Sequence, residues 1–435
     1  MRATLSIRTV EGFDAAKGLL ERRWPKAKTF DSELANYVGA IIEEVRRRGD
    51  AALFDFTEKF DDVKLDSGSL KVNPEEFEKA YSEVGEDIVS ALKTAKERVE
   101  RFQRRLLKRL SFECETEGVK IRNVVTPIRR LGCYVPGGEA AYPSSLVMII
   151  APAKVAGVHE IAVCSPPRGN GEVSPLILVA ADLCGVNEVY KVGGAQAIAA
   201  MAYGTETIKP VDKIVGPGNR YVLTAKMLVS RDLPVDMPAG PSEIIVLADE
   251  LADPREIALD MVSQAEHLDG VSALVTTSKE VAEKVVEELR HMVSSLPNRE
   301  MVVRNLSRNG FILVCKNMKE AVLFVNKFGP EHLEIMAKDA RRIAGQVTSA
   351  GLVLVGRWTP VAASDYGLGT VHVLPTQGFS HVYSGLSVLD FIKRFSIVEC
   401  SEEGLLKAKD TVKVLANSEG LLNHGLAVEG RFDNA

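Results

Sequence analysis

The sequence predicts an α/β fold. Two Rossmann-like parallel-sheet domains, each incompletely doubly wound, carry small helical segments at the N- and C-terminal ends. Three observations predict it. From about residue 125, short apolar runs alternate with helix-length stretches, which is the grammar of βαβ units. A second series of the same kind begins at 243. Residues 31–110 and the segment after about 385 instead show helical spacing of apolar residues. The chain of 435 residues divides accordingly. An N-terminal helical segment spans 1–30, and 31–130 together with 240–384 form a first α/β domain. Residues 131–239 form a second α/β domain, and 385–435 a C-terminal helical segment.

Each element has its own warrant. Asp31 or Ser32 caps a helix running through Ile41, Ile42 and Val45. A highly charged helix covers about 86–110, with Ile88, Leu92, Val99 and Phe102 near helical spacing. Strands are expected at 147–150, 161–164, 189–192 and 213–215, with helices at 176–183, 195–201 and 221–229. The second series predicts strands at 244–247, 273–277, 311–315, 333–337 and 352–355. Helices at 254–267, 279–293 and 318–327 lie between them. The last segment reads as helix at 387–394 and 403–418.

Composition narrows the class. With 46% hydrophobic and 26% charged residues, the chain has an ordinary soluble globular make-up. A net charge of −5 gives no general basic field, so nucleic-acid binding is not expected. The basic end of the 86–110 helix (Arg101, Arg104, Arg105, Lys108, Arg109) suits a solvated face better than a nucleic-acid patch. No apolar run approaches the roughly 20 residues of a membrane span. The first residues lack the apolar core of a secretory leader. The six cysteines form no C-x-x-C pair and suit a reducing compartment, so a cytoplasmic protein is expected.

The segment Gly329-Pro330-Glu331-His332-Leu333 carries the clearest chemical signal. Gly-Pro marks a loop, and the apolar run after it reads as a buried strand. Glu331 and His332 then form a ready pair of proton-transfer groups, or else a cap beside a satisfied histidine. Gln264 and His267 are three apart on one expected helix face, which places an amide oxygen and an imidazole where both can reach one metal. A histidine favoured by the helix dipole is the plainer reading. Ser364-Asp365-Tyr366-Gly367 through His372 is a glycine-punctuated polar loop: Asp365 can give a metal an oxygen, and His372 can bind substrate. Glu419 and His424 are chemically loaded residues in a terminal segment. Gln264, His267, Asp365 and His424 make a mixed N/O set of the kind zinc accepts. Glycine turns at Pro136-Gly137-Gly138, Gly193-Gly194-Ala195-Gln196 and Gly216-Pro217-Gly218-Asn219 can bring backbone N–H groups to a dinucleotide, or serve simply as turns.

Taken together, several motifs resemble the histidinol dehydrogenase family from about residue 30 to 430. They are Gly132-Cys133-Tyr134-Val135-Pro136-Gly137-Gly138, Val192-Gly193-Gly194-Ala195-Gln196, Gly216-Pro217-Gly218-Asn219, Asp236-Met237-Pro238-Ala239-Gly240-Pro241-Ser242-Glu243, Ser263-Gln264-Ala265-Glu266-His267, Gly329-Pro330-Glu331-His332-Leu333 and His372-Val373-Leu374-Pro375. The resemblance implies NAD-dependent four-electron oxidation of L-histidinol to L-histidine through bound histidinal. It implies a zinc ion in each subunit held by Gln264, His267, Asp365 and His424, with Glu331 and His332 as the acid/base pair. Ser242, His372 and Glu419 would touch substrate, together with Gln264, His267, His332, Asp365 and His424. Tyr134, Gln196 and Asn219 would line the NAD site. It also implies a homodimer in which Glu419 and His424 serve the partner's site.

Two stretches depart from the family pattern. Leu268-Asp269-Gly270 replaces a Gly-Pro-Asp after the helix histidine, and Thr370-Val371-His372 replaces Thr-Asn-His. Both predict altered loop geometry near the substrate. The rival readings are a zinc dehydrogenase acting on another alcohol and a non-catalytic metal-bound α/β protein. Glu419 and His372 argue against the first, and the complete Glu/His/metal set against the second.

Overall fold

The computed structural model describes residues 5–21, 23, 31–137, 141–237 and 240–432. Strand β1 (Arg8–Glu11) is followed by helices α1 (Ser32–Arg48), α2 (Asp50–Asp61), α3 (Pro74–Glu83) and α4 (Glu86–Leu107). A hairpin of β2 (Phe112–Thr116) and β3 (Val119–Pro127) leads into the first α/β series. That series runs β4 (Arg130–Tyr134), α5 (Pro143–Ala156), β5 (Glu160–Ser165), α6 (Pro175–Leu183), β6 (Val189–Lys191), α7 (Gly194–Tyr203), β7 (Lys213–Val215) and α8 (Arg220–Val229). The second runs β8 (Glu243–Ala248), α9 (Pro254–Gln264), β9 (Val271–Thr276), α10 (Lys279–Val293), α11 (Arg299–Arg308) and β10 (Phe311–Val314). It continues with α12 (Met318–Phe328), β11 (His332–Met336), α13 (Ala340–Ala344), β12 (Leu352–Val355) and α14 (Val361–Tyr366). The chain closes with β13 (Ile392–Cys400), α15 (Glu402–Ser418) and α16 (Leu422–Glu429).

Both α/β series form parallel sheets. The smaller has the order β6-β5-β4-β7, and the larger the order β1-β10-β9-β8-β11-β12. In each, two further strands are laid outward from the first, and the chain then returns to that first strand's other side. The reversal creates a topological switch point between β4 and β7, and another between β8 and β11. Helices cover both faces of both sheets, which is why the strands read as apolar runs rather than alternating patterns. On the smaller sheet Leu131 and Cys133 pack with Ile149 and Ile177, while Tyr134 and Ile214 pack with Ile41, Ile198 and Val222. On the larger sheet Ile244 and Val246 meet Met261 and Leu306, while Leu333 and Ile335 meet Phe324 and Val325.

Several expectations are corrected. The run at 147–150 is not a strand but the centre of α5, buried all round from Leu146 to Ala153. A continuous apolar run cannot distinguish a buried strand from a buried helix. Pro143 at the first turn and the left-handed Gly157 at the end settle it as a helix. The stretch 387–394 is not helical beyond a short turn, because β13 starts at Ile392 and pairs antiparallel with β3. The N-terminal segment is not helical where described. It adds β1 to the edge of the large sheet, followed by a single 3-10 turn at Lys17–Leu20; 22 and 24–30 lie outside the described residues. The helices of 31–107 do not pack on the large sheet. Val38, Ile41 and Val45 share a core with Ile198, and Leu92 and Val99 share one with Ile149. An amphipathic stripe shows that a helix is buried on one side, but not against which sheet.

Candidate active site

Helix α12 ends in Gly329, whose φ of 59° suits the left-handed cap a glycine supplies. Pro330 then turns the chain, and Glu331-His332 enters the large sheet between β8 and β12. His332 is the first residue of β11, so this site lies at the amino ends of the strands. The glycine turns of the small sheet lie at carboxyl ends, where ligands of such sheets usually bind. Glu331 and His332 are 5% and 3% exposed.

Glu243, the first residue of β8, holds both side chains through its main chain. Its N–H donates to Glu331 Oε2 at 2.7 Å, and its carbonyl lies 3.2 Å from His332 Nδ1. An Nδ1–H donating to that carbonyl leaves Nε2 as the reactive nitrogen. Nε2 sits 3.5 Å from Asp365 Oδ1, and neither atom has a hydrogen-bond partner although both are buried. Burial opposes a charged imidazole here, but the Glu331 and Asp365 carboxylates outweigh it and raise His332 to about 10. Burial pushes Asp365 upward, yet His332, His372 and His267 hold it below its ordinary value.

Asp365 lies in the last turns of α14, inside the region read as a loop. His372 bridges two parts of the molecule. Its Nδ1 meets the Asp365 carbonyl at 2.9 Å, and its Nε2 meets Ser145 Oγ at 3.1 Å. Ser145 stands in the first turn of α5, directly beyond the carboxyl end of β4. The amino edge of the large sheet is thereby joined to the carboxyl edge of the small one.

Gln264 is the last residue of α9, and its buried Nε2 lacks a partner. The helix stops there, so His267 lies in the exposed turn beyond it rather than on a shared helix face. Asn305 Nδ2 fixes that turn by donating to the carbonyls of Ala265 and His267 at 2.9 and 2.7 Å. Ser242 is half-buried just before β8. Glu419 and His424 are not brought to this cluster within one chain; both are exposed on the α15–α16 arm. Among the described residues no group of three or more His, Cys, Asp or Glu assembles into a metal site. The orphaned oxygen of Asp365 and the nearby His267 nonetheless fit an N/O-ligated cation, which the Gln264 amide oxygen and a fourth ligand would complete.

The second candidate region is the switch point of the small sheet. Tyr134 ends β4, and its hydroxyl accepts from the Gly194 N–H at 3.2 Å; burial pushes the phenol up to about 12. Gln196 is buried in the first turn of α7. Asn219 caps α8, accepting from the N–H groups of Tyr221 and Val222 at 3.0 and 3.1 Å. Gly216 has a φ of 124°, and a Cβ there would lie 2.0 Å from the Tyr134 carbonyl oxygen, so only glycine fits. Asp236 accepts from the Gly216 N–H at 2.7 Å, and Lys226 donates to the Gly216 carbonyl at 2.9 Å. This held, glycine-containing turn suits close approach by a pyrophosphate. Gly138 lies outside the described residues.

Comparison with known proteins decides the family. The family model described as histidinol dehydrogenase matches residues 25–432. The chain belongs to the histidinol dehydrogenase family. It is 44% identical over 404 residues to a histidinol dehydrogenase of Methanosarcina mazei, covering 92% of each chain. It is 44% identical over 430 residues to that of Caldanaerobacter subterraneus, covering 98% of this chain and 100% of the other. The crystal structure of histidinol dehydrogenase from Elizabethkingia anophelis matches with a TM-score of 0.93 at 34% identity, covering 98% of both chains. The chain is thus an oxidoreductase of the histidinol dehydrogenase type, and the α/β expectation is borne out. Three contributors to this site were absent from the candidate residues: Ser145, the main chain of Glu243, and Glu334. Ser145 was hidden in a helix misread as a strand. Glu334 shares the His332 face of β11, is fully buried and adjoins Asp260 of α9.

Proposed function

We propose that this chain catalyses the NAD-dependent, zinc-assisted four-electron oxidation of L-histidinol to L-histidine through bound L-histidinal, the last two oxidations of histidine biosynthesis. The observation that carries the reading is the cluster of buried Glu331 and His332 with half-buried Asp365, joined through His372 to Ser145 at the start of α5 in the small-sheet series. Gln264, His267, Asp365 and His424 would hold zinc, which supplies Lewis acidity and a template for the substrate. Tyr134, Gln196 and Asn219 would line the site of NAD, which would supply the hydride acceptor.

The proton steps belong to the chain. In the first oxidation His332 Nε2 takes the hydroxyl proton as the carbinol hydride leaves. A histidine held at about 10 is a cation at neutral pH and cannot do this. The Glu331 and Asp365 carboxylates together set that condition, and the Asp365 share of it would weaken with that carboxylate engaged by a cation. The aldehyde must be hydrated before a second hydride can depart. Glu331 retains Oε1 for that water while its Oε2 is tied to Glu243. Ser242, His372 and Glu419 position the substrate. The large-sheet domain holds the metal and the acid/base pair, and 131–239 the NAD side.

The arm supports a homodimer with a shared site. Leu406, Val414, Leu415, Leu422 and Leu426 are 55–66% exposed along it, and β13 adds exposed Phe395 and Val398. A second copy of this chain covering that surface would deliver Glu419 and His424 in trans. The cysteines are all free, which suits a cytoplasmic setting. No described helix is long and apolar enough to cross a membrane.

The test is direct. Purified protein supplied with histidinol and NAD is expected to release two NADH per histidine formed. The absence of NADH with histidinol, in metal-replete protein, sinks the reading.

A further inference from the structure

We propose that Arg23, in the N-terminal segment, is the positioning residue that keeps Glu331 and His332 in register. The role of the pair rests on the function proposed above; the geometry does not. Arg23 is 5% exposed and spends its donors on two targets. Its guanidinium forms a two-pronged pair with Glu243, Nη1 on Oε1 and Nη2 on Oε2, the latter at 2.7 Å. Its Nε donates to the Phe328 carbonyl at 3.0 Å and Nη2 to the Gly329 carbonyl at 3.2 Å. The same guanidinium lies 3.8 Å over the Phe328 ring. The two targets are the two sides of the catalytic pair. Phe328 and Gly329 end α12 and lead into Glu331, and their carbonyls are among those a helix end leaves unpaired. Glu243 carries the N–H that holds Glu331 and the carbonyl that meets His332. One side chain thereby ties the incoming loop to the strand that grips the pair.

Energetics support positioning over bulk stability. A buried ion pair recovers little beyond its own desolvation, so its main yield is fixed geometry. The planar fork matches a carboxylate and two carbonyls at once, which the point charge of lysine cannot. Glu243 Oε1 also accepts from the Gln377 N–H at 3.2 Å, so the anchor extends to the segment after His372.

The experiment uses the full-length, metal-loaded protein. Arg23→Gln alone strands a buried carboxylate and can unfold the chain, so the deciding variant is Arg23→Gln/Glu243→Gln, which leaves no unpaired charge. It is expected to fold, with kcat for histidinol down at least tenfold, since about 1 Å of misplacement can cost some hundredfold. The KM for NAD should stay within about twofold, because the cofactor turns lie on the other sheet. Amide hydrogen exchange across 328–333 should quicken at least tenfold, while the small sheet exchanges as in the parent. Unchanged exchange in 328–333 in the folded double variant overturns the proposal, as does unchanged kcat. A parent protein inactive on histidinol would defeat the proposed function alone, and the exchange result would still decide the role of Arg23.

Discussion

The two switch points of this molecule present different groups on the same topology. At the small sheet, between β4 and β7, the working groups are backbone: glycine turns held open by Tyr134, Asp236 and Lys226. At the large sheet, between β8 and β11, they are side chains: buried Glu331 and His332 with half-buried Asp365 beside them. The first lies at carboxyl ends and the second at amino ends. The difference teaches that a shared strand order does not fix which edge of a sheet carries the working groups; the residues placed at each edge do. Backbone turns suit a cofactor that must be cradled, and coupled acids and bases suit the bond that must break.

Substitutions should separate the two edges. The largest effects belong to the large sheet. His332→Asn is expected to lower kcat by about 10²–10⁴-fold with NAD affinity unchanged. Glu331→Gln should slow the aldehyde oxidation far more than the alcohol oxidation, measured with histidinal and histidinol separately. Equal slowing of both steps would break the assignment of the water to Glu331.

Next comes the arm, which belongs to neither edge. His424→Ala should cost at least about a hundredfold and reduce metal content, since even indirect supports of a metal ligand are worth about 10–100-fold. Mixing it with a Glu331→Gln/His332→Asn chain should restore activity in heterodimers. If each mixture stays as inactive as its parents, the arm does not act in trans.

Smaller and opposite in kind is Gly216→Ala. The added Cβ would meet the Tyr134 carbonyl, so the KM for NAD should rise about tenfold while kcat holds. A fall in kcat at unchanged KM would erase the contrast between the edges.

The last expected effect is on stability rather than activity, a pH signature behind the catalytic pair. Burial beside Asp260 lifts Glu334 from 4.5 to about 9 and Asp260 to about 6. A raised carboxyl binds its proton longer when folded, so stability is complete below about 4.5 and is lost as pH rises toward 9. Glu334→Gln removes that loss. Its thermal midpoint relative to the parent should therefore climb from pH 5 to pH 9, and a constant difference would refute the shift.

Legibility followed physics. The βαβ grammar was readable because each strand and helix carries its own apolar pattern. Glu331 and His332 stood out because a Gly-Pro turn precedes them. The α5 run was misread because burial on all sides erases periodicity. Ser145 was lost with it. Arg23 gave no signal, because its partners are more than 200 residues away in sequence.

The sequence alone determined the α/β class, the two series and the candidate acid/base pair, since local patterns and short motifs encode these. Only the tertiary structure decided which sheet the 31–107 helices cover, that the pair sits at the amino edge, and that His372 reaches Ser145. It also decided that the arm's Glu419 and His424 stand apart from the cluster within one chain. The reason is the same each time: these are contacts between residues far apart in the chain, and no local pattern records which distant surface a residue meets.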